Sequence, residues 1–225
     1  MQHTEAPLEY IEEYYDILDT DEKDQLPEIL FEHRFVKQIK GKSILSIGCG
    51  PNFFDDALLF KELPKEYVGI DLNKNTIKFL KDSRNSKLLK AKKRLEDNGT
   101  KITLLTGDIF KFNEEWINKF DAIVAIGVLS NFNEKQYLRL LDYFKKYLKK
   151  DGMFLDVGWR KPYLDKKELD KKLIYKFYFE TEIPSQKFID MIKNNFIVLD
   201  SGIHIVEDPK DYLWGELYGC IAVKK

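Results

Sequence analysis

Short apolar runs alternate along the chain with longer segments in which apolar side chains recur at helical spacing. The first apolar run, Ile44 to Ile47, enters a turn at Gly48-Cys49-Gly50. Further runs at 67–71, 102–105 and 120–126 each stop at a polar or glycine position before a helical pattern resumes. This alternation of strands and helices is typical of an open, mostly parallel sheet with helices on both faces.

Two long helical patterns lie between and after these runs. Residues 75–97 are rich in lysine, which we interpret as a solvated helix face rather than a nucleic-acid site. Residues 135–150 form an amphipathic pattern. The apolar side of this second helix is predicted to contain Leu138, Leu141, Phe144 and Leu148. A turn at 150–152 then predicts a fifth strand over residues 153–157.

The regular order breaks after the fifth strand. A lysine-rich stretch precedes residues 173–179, which alternate like a strand where strand–helix succession would predict a helix. Residues 184–195 restore a helical pattern, and strand-like runs at 196–206 and 217–223 follow. Two strands with a short connection predict an antiparallel pair at one edge of the sheet.

The patterns divide the chain of 225 residues into two parts. Residues 1–40 are expected to form a helical cap. Residues 41–225 are expected to form the sheet domain, with a substrate-recognition insert at about 159–183, where lysines precede alternating aromatic residues. The length fits one large α/β domain with small additions.

Composition and net charge limit the classes of partner that the sequence predicts. With 37 Lys and Arg against 38 Asp and Glu, the net charge of -1 argues against a nucleic-acid partner, although a local basic patch stays open. The N-terminus lacks the pattern of a signal peptide, and no apolar run is long enough for a membrane span, so we expect a cytoplasmic protein. The two cysteines, Cys49 and Cys220, have no partners at metal-ligand spacing, so no metal site is predicted.

Acidic and glycine positions follow the apolar runs and point to one crevice. Asp71 comes roughly twenty residues after the Gly48-Cys49-Gly50 turn, the offset of a ribose-binding carboxylate. Asp108 follows the third run and Gly127 the fourth. Because the carboxyl ends of parallel strands share one edge of a sheet, these positions are expected to meet in a nucleotide-type site.

The residues after the glycine turn disfavour a phosphate-bearing ligand. Phe53 stands where a dinucleotide fingerprint needs its third glycine. Asp55 and Asp56 lie in the first turn of the predicted helix, where they would repel a pyrophosphate by roughly a few kcal/mol at low dielectric. S-adenosylmethionine carries ribose and adenine but no phosphate, and its sulfonium is positive. It suits an acid-lined glycine turn.

The chain resembles the class I S-adenosylmethionine-dependent methyltransferases. The matching segments, in the family's order, are I-L-S-I-G-C-G-P-N, V-G-I-D-L, T-G-D-I, F-D-A-I-V-A-I-G-V-L and L-K-K-D-G-M-F-L. They cover about Lys42 to Val157, and the terminal strand pair covers most of the rest. The resemblance implies a Rossmann-like, doubly wound, seven-stranded and mostly parallel sheet with an antiparallel C-terminal strand pair. It also implies S-adenosyl-L-methionine as the cofactor.

The resemblance also assigns roles to residues. Gly48 and Gly50 would let the main chain approach the methionine moiety. Asp71 would accept both ribose hydroxyls, and Asp108 would bind the adenine amino group beside Ile109. The expected cofactor-binding set is Ser46, Gly48, Cys49, Gly50, Asp71, Leu72, Gly107, Asp108, Ile109, Ile126 and Gly127.

Alternatives stay open at several of these positions. Asp71 as a helix cap and Asp108 as a turn residue are the structural alternatives. Ser46 stands where the family usually has an acid, and Asn52 where it usually has a third glycine. These departures leave room for a relative that transfers the aminocarboxypropyl group of the same cofactor.

The acceptor site is less visible in the sequence. Its walls are expected at the fourth- and fifth-strand exits and on the N-terminal helix. The candidate substrate-binding residues are Tyr14, Tyr15, Asn131, Phe132, Trp159 and Arg160. His204 and Glu180 are candidate bases without diagnostic spacing, and an ordinary sheet histidine is the alternative for His204.

These observations predict methyl transfer from S-adenosylmethionine to an oxygen or nitrogen of a small-molecule acceptor. The insert keeps an RNA or protein methyltransferase open, because basic and aromatic residues together also suit a nucleic acid. An aminocarboxypropyl transferase and a non-catalytic cofactor-binding scaffold also stay open. We expect a monomer or a homodimer without a membrane partner.

Overall fold

The computed structural model of this chain describes residues 8, 11, 39–51, 53–54, 63–160, 183–207 and 214–225. Most of the cap predicted over residues 1–40 and of the insert predicted at about 159–183 lies outside this part of the chain, so both stay predictions. No helix in the described part is long and apolar enough to cross a membrane.

One sheet of seven strands runs through the described part of the chain. The strands are β1 (Ser43–Ile47), β2 (Glu66–Asp71), β3 (Lys101–Thr106), β4 (Phe120–Ile126), β5 (Leu148–Arg160), β6 (Phe196–Glu207) and β7 (Trp214–Lys224). Their order is β3-β2-β1-β4-β5-β7-β6, with β1 to β5 mutually parallel and β7 antiparallel to both β5 and β6. The predicted mostly parallel sheet with an antiparallel C-terminal pair is confirmed.

Helices cover both faces of this sheet. They are α1 (Lys74–Asp82), α2 (Ser86–Asp97), α3 (Glu134–Tyr147) and α4 (Ser185–Asn195). Alternate strand residues enter different cores: Ile44 packs in one cluster and Leu45 in the other. The first cluster includes Ile77, Leu80, Leu88 and Leu95 of α1 and α2, and the second includes Leu140, Leu141, Phe144 and Phe188 of α3 and α4.

The strand order places a crevice beside β1. Strands β2 and β4 both pair with β1, and the chain order reverses direction at this point. In register, Ile47 lies opposite Ile70, and Asp71 lies opposite Thr106. The carboxyl ends of β1, β2 and β3 therefore reach the same edge, where open α/β sheets bind their ligands.

The single helix predicted over residues 75–97 is wrong, because the chain breaks between α1 and α2. Ser83 has extended backbone, with φ -60° and ψ 138°. The side chain of Asn85 then accepts hydrogen bonds from the amides of Lys87 and Leu88 and so caps α2. The lysine interpretation fits the burial pattern, since Lys78, Lys81, Lys87, Lys90 and Lys93 are exposed.

Two details of the next helix and strand also differ from prediction. Leu138 is 36% exposed, and the buried face of α3 carries Tyr137, Leu140, Leu141, Phe144 and Tyr147. Strand β5 begins at Leu148, immediately after α3. The turn predicted at 150–152 is instead an irregularity within β5, where Asp151 has φ 58° and the pairing with β4 shifts register.

Candidate functional site

The glycine turn after β1 lies directly against the segment that follows β4. Gly48 and Gly50 have φ of 55° and 59°, a region that favours glycine. A Cβ atom at Gly48 would lie 2.5 Å from Cγ2 of Val128. The turn therefore requires glycine for its conformation and for the close approach of these two segments.

Asp71, the last residue of β2, is fixed beside this turn by two main-chain amides. Its Oδ2 accepts a hydrogen bond from the Gly50 amide at 3.0 Å, and its Oδ1 accepts one from the Asn73 amide at 2.8 Å. Burial raises the pKa of the Asp71 carboxyl, and the two amide hydrogen bonds oppose this rise. A carboxylate has about four acceptor positions, so each oxygen keeps capacity for a hydroxyl donor.

The helix-cap alternative for Asp71 does not describe its geometry. The N-cap of α1 is Asn73, whose side chain accepts a hydrogen bond from the Asn75 amide at 3.0 Å. Asp71 instead bridges the glycine turn and the residue before the helix. Its main-chain carbonyl also accepts a hydrogen bond from the Gly107 amide at 2.9 Å, which ties β2 to the segment after β3.

Asp108 is a turn residue in the loop after β3, near the carboxyl edge of the sheet. Its Oδ1 accepts a hydrogen bond from the Phe110 amide at 2.9 Å, and its carbonyl accepts one from the Lys111 amide at 3.0 Å. The side chain is half-buried. The turn role predicted as an alternative is thus present, and it leaves acceptor capacity on the carboxylate for an adenine amino group.

The segment after β4 forms the other wall. The amide of Gly127, which has φ 70°, donates to the Val157 carbonyl at 2.7 Å. The side-chain amide of Asn131 donates to the Gly127 carbonyl at 3.2 Å. Phe132 is buried, and its ring meets that of Phe110 edge-on with centroids 5.0 Å apart. The predicted acceptor wall and the loop of Asp108 are therefore in contact.

The remaining predicted cofactor residues differ in exposure. Leu72, which follows Asp71, is 47% exposed. Ser46 is buried within β1, between Gly69 of β2 and Val124 of β4. The amide of Cys49 donates to the Ile70 carbonyl at 3.1 Å, and its thiol is buried. Ile109, Ile126 and Gly107 are half-buried.

The predicted substrate and catalytic residues are only partly described. Trp159 and Arg160 end β5, where they pair with Leu217 and Glu216 of β7. His204 lies on β6, also opposite Leu217. Tyr14, Tyr15 and Glu180 lie outside the described residues. Within the described part, no group of three or more His, Cys, Asp and Glu residues is arranged to hold a metal ion.

A buried acid, which sequence reasoning missed, lies beside the β4 exit on the α3 side of the sheet. Oδ2 of Asp156 accepts hydrogen bonds from the hydroxyls of Tyr137 at 2.5 Å and Tyr218 at 3.0 Å. Its Oδ1 has no hydrogen-bond partner among the described residues. Burial raises the pKa of Asp156 to about 7, and burial together with Asp156 raises the pKa of Cys220 to about 12.

The geometry of the crevice fits S-adenosylmethionine. The glycine turn supplies close main-chain approach, Asp71 supplies an anchored carboxylate, and Asp108 lies at the neighbouring strand exit. These groups are the ones that a cofactor with ribose and adenine but no phosphate needs.

Comparisons with known proteins agree with this geometry. The family model described as a methyltransferase domain matches residues 45–154. The N-methyltransferase NodS from Bradyrhizobium japonicum, solved with S-adenosyl-L-homocysteine, aligns with a TM-score of 0.56 at 15% identity over 95% of this chain and 97% of that chain. The PH0226 protein from Pyrococcus horikoshii aligns with a TM-score of 0.56 at 18% identity over 95% and 99%.

A third structure is longer than this chain. Phosphoethanolamine N-methyltransferase 2 from Haemonchus contortus, solved with S-adenosyl-L-methionine, aligns with a TM-score of 0.62 at 12% identity over 99% of this chain and 58% of that chain. A search of curated proteins finds no match. The family model thus identifies residues 45–154 as a methyltransferase domain, and the three solved structures share the fold of this chain.

Proposed function

We propose that this enzyme binds S-adenosylmethionine at the carboxyl edge of β1 to β4 and methylates an oxygen or nitrogen of a small-molecule acceptor. The observation that carries the proposal is the Asp71 carboxylate, held by the Gly50 and Asn73 amides beside the glycine turn. In this proposal Asp71 accepts the ribose hydroxyls and Asp108 the adenine amino group. The other members of the predicted cofactor set stay candidates for contacts with the cofactor.

Methyl transfer is an in-line displacement at the sulfonium carbon, so position matters more than a dedicated base. An amine acceptor needs no base if it arrives neutral, whereas a hydroxyl acceptor benefits from one. His204 and Glu180 stay candidates for that role. Two of the structural neighbours are N-methyltransferases, which supports a nitrogen acceptor.

The acceptor pocket is proposed at the exits of β4 and β5. Asn131 lies close to Gly127 through its side-chain hydrogen bond, and Phe132 joins this segment to the loop of Asp108. Trp159 and Arg160 at the end of β5 and Tyr14 and Tyr15 of the predicted cap complete the candidate wall. The net charge of -1 supports a small molecule over a nucleic acid.

Labelled cofactor tests this proposal directly. The protein is incubated with S-adenosylmethionine that carries an isotopic label only in the methyl group, together with a metabolite extract. We expect mass spectrometry to find small molecules that gain one labelled methyl group, and Asp71→Ala to abolish most of the product. A parallel incubation with total RNA covers the RNA alternative.

Three outcomes would contradict the proposal. Acceptors that gain an unlabelled aminocarboxypropyl mass would show that the other group is transferred. Label in RNA but not in metabolites would show that the acceptor is a nucleic acid. Cofactor binding without labelled product in either pool would favour the scaffold alternative.

A further inference from the structure

Arg139 lies on the exposed side of α3 and contacts the loop after β3. Its Nη2 donates a hydrogen bond to the Phe110 carbonyl at 3.1 Å, and its Nε donates one to the Tyr143 hydroxyl at 2.7 Å. The guanidinium carbon lies 5.9 Å from the centroid of the Phe110 ring and 5.4 Å from that of Tyr143. One side chain thus contacts both the main chain and the ring of Phe110.

Phe110 also contacts Asp108, through its main-chain amide. The Phe110 amide donates to Oδ1 of Asp108 at 2.9 Å, while the Phe110 carbonyl accepts from Arg139. The Phe110 ring also meets that of Phe132 from the β4 exit. A continuous series of contacts therefore runs from α3 through Phe110 to the Asp108 carboxylate.

Most exposed arginines contribute little to stability, because solvent and salt screen their contacts and their side chains lose entropy on ordering. Arg139 differs because its planar fork reaches two fixed acceptors and its face lies near two rings, a combination that a lysine ammonium lacks. The loop from Gly107 to Asn113 contains no regular helix or strand. Contacts from outside the loop must therefore help to set its conformation.

We propose that Arg139 is a positioning residue for adenine recognition, which fixes Phe110 and through it the orientation of the Asp108 carboxylate. This inference rests on the proposed function, because it takes Asp108 as the partner of the adenine amino group. Arg139 itself does not contact the cofactor in this proposal. It makes the conformation of the loop that contains Asp108 depend on α3.

The proposal is tested with two ligands that differ at the adenine amino group. Calorimetry measures the affinity for S-adenosylhomocysteine and for S-inosylhomocysteine, in which the amino group is replaced by an oxygen. We expect the wild type to prefer S-adenosylhomocysteine. In Arg139→Ala its affinity for this ligand should fall about fivefold, as expected for a lost hydrogen bond to an exposed charged group, with a smaller loss for the inosyl ligand.

Control variants separate positioning from general destabilisation. Arg139→Lys should lie between the wild type and Arg139→Ala, because it keeps the charge but loses the fork. Arg94→Ala removes an exposed arginine from α2, on the opposite face of the sheet, and should leave both affinities unchanged. Asp108→Ala should remove the preference for the adenine ligand.

A second measurement needs no ligand. Hydrogen exchange of the Phe110 and Lys111 amides should be faster in Arg139→Ala than in the wild type, while exchange in the strands stays the same. Unchanged exchange, or equal loss of affinity for both ligands, would contradict the positioning role. A wild type that does not bind S-adenosylhomocysteine would instead contradict the proposed cofactor site.

Discussion

Two acids of the sheet, Asp71 at the end of β2 and Asp156 within β5, have their pKa values raised by burial but differ in their hydrogen-bond donors. Asp71 is half-buried and accepts one main-chain amide on each oxygen. Asp156 is fully buried, and both of its donors are tyrosine hydroxyls on a single oxygen. The first acid lies at the carboxyl edge of the sheet, and the second is enclosed between α3 and β7.

The difference shows which kind of environment leaves an acid available to a ligand. Main-chain amides fix Asp71 without enclosing it, so its spare acceptor positions remain at the edge of the sheet. The tyrosines of Asp156 belong to an aromatic group in which Phe188 stacks on Tyr218 at 5.0 Å and meets Tyr137 edge-on at 4.9 Å. Asp156 therefore joins α3, β5 and β7 within the core. Because burial raises its pKa, the free energy of unfolding depends on pH.

The largest expected effect is the contribution of Asp156 to the pH dependence of the free energy of unfolding. Because the pKa of Asp156 is raised from 3.8 to about 7, the folded protein keeps a proton that the unfolded chain has released between these values. The free energy of unfolding should therefore fall by up to about 4 kcal/mol as the pH rises from about 4 to about 7. Asp156→Asn should remove this contribution.

Urea unfolding of wild type and Asp156→Asn at several pH values measures this effect. The variant should gain stability relative to the wild type as the pH rises through this window. The groups facing Asp156 are Tyr137 from α3 and Tyr218 and Cys220 from β7, while Lys193 and Asp200 act on Cys220. The pKa values of Tyr137 and Cys220 are raised, so neither group titrates in this range. A stability difference that is constant with pH would contradict the account.

The next largest effect concerns the space around the buried acid. A Cβ atom at Gly158 would lie 2.3 Å from the Tyr218 ring, so Gly158→Ala must displace the tyrosine that donates to Asp156. We expect a loss of about 3 kcal/mol in unfolding free energy from this overpacking. Gly99→Ala is the control, because a Cβ there meets nothing within 4 Å and only its φ of 75° costs energy, about 1 kcal/mol. Equal losses in chemical unfolding would contradict the packing argument.

Sequence patterns predicted the parts of the molecule whose signals are local. Strand β4 was predicted with its observed bounds, because its apolar run follows the polar residues Asn118 and Lys119 and stops at Gly127. The glycine turn and Asp71 were predicted because the offset between them is a property of one strand–helix–strand unit. Their meeting in space follows from the parallel sheet, which the alternation of strands and helices indicated.

The missed features depend on residues far apart in the chain. Asp156 meets Tyr137 and Tyr218 from 19 and 62 positions away, and Arg139 meets Phe110 from 29. A periodic pattern within one helix or strand does not reveal contacts between residues that are so far apart in the chain. Leu138 was misplaced because Tyr137 and Leu140 offer an equally good helical spacing with Leu141 and Phe144. The cap at Asn85 was a local signal, but lysine-rich helical periodicity on both sides concealed it.

The central claim is that Asp71 anchors the cofactor, and calorimetric titration with S-adenosylhomocysteine tests it most directly. Asp82→Ala, a control for loss of an exposed acid at the end of α1, should bind like the wild type. Asp71→Ala should bind at least about tenfold more weakly, because the ribose hydroxyls lose a charged acceptor. Equal affinity in Asp71→Ala and the wild type would contradict the account.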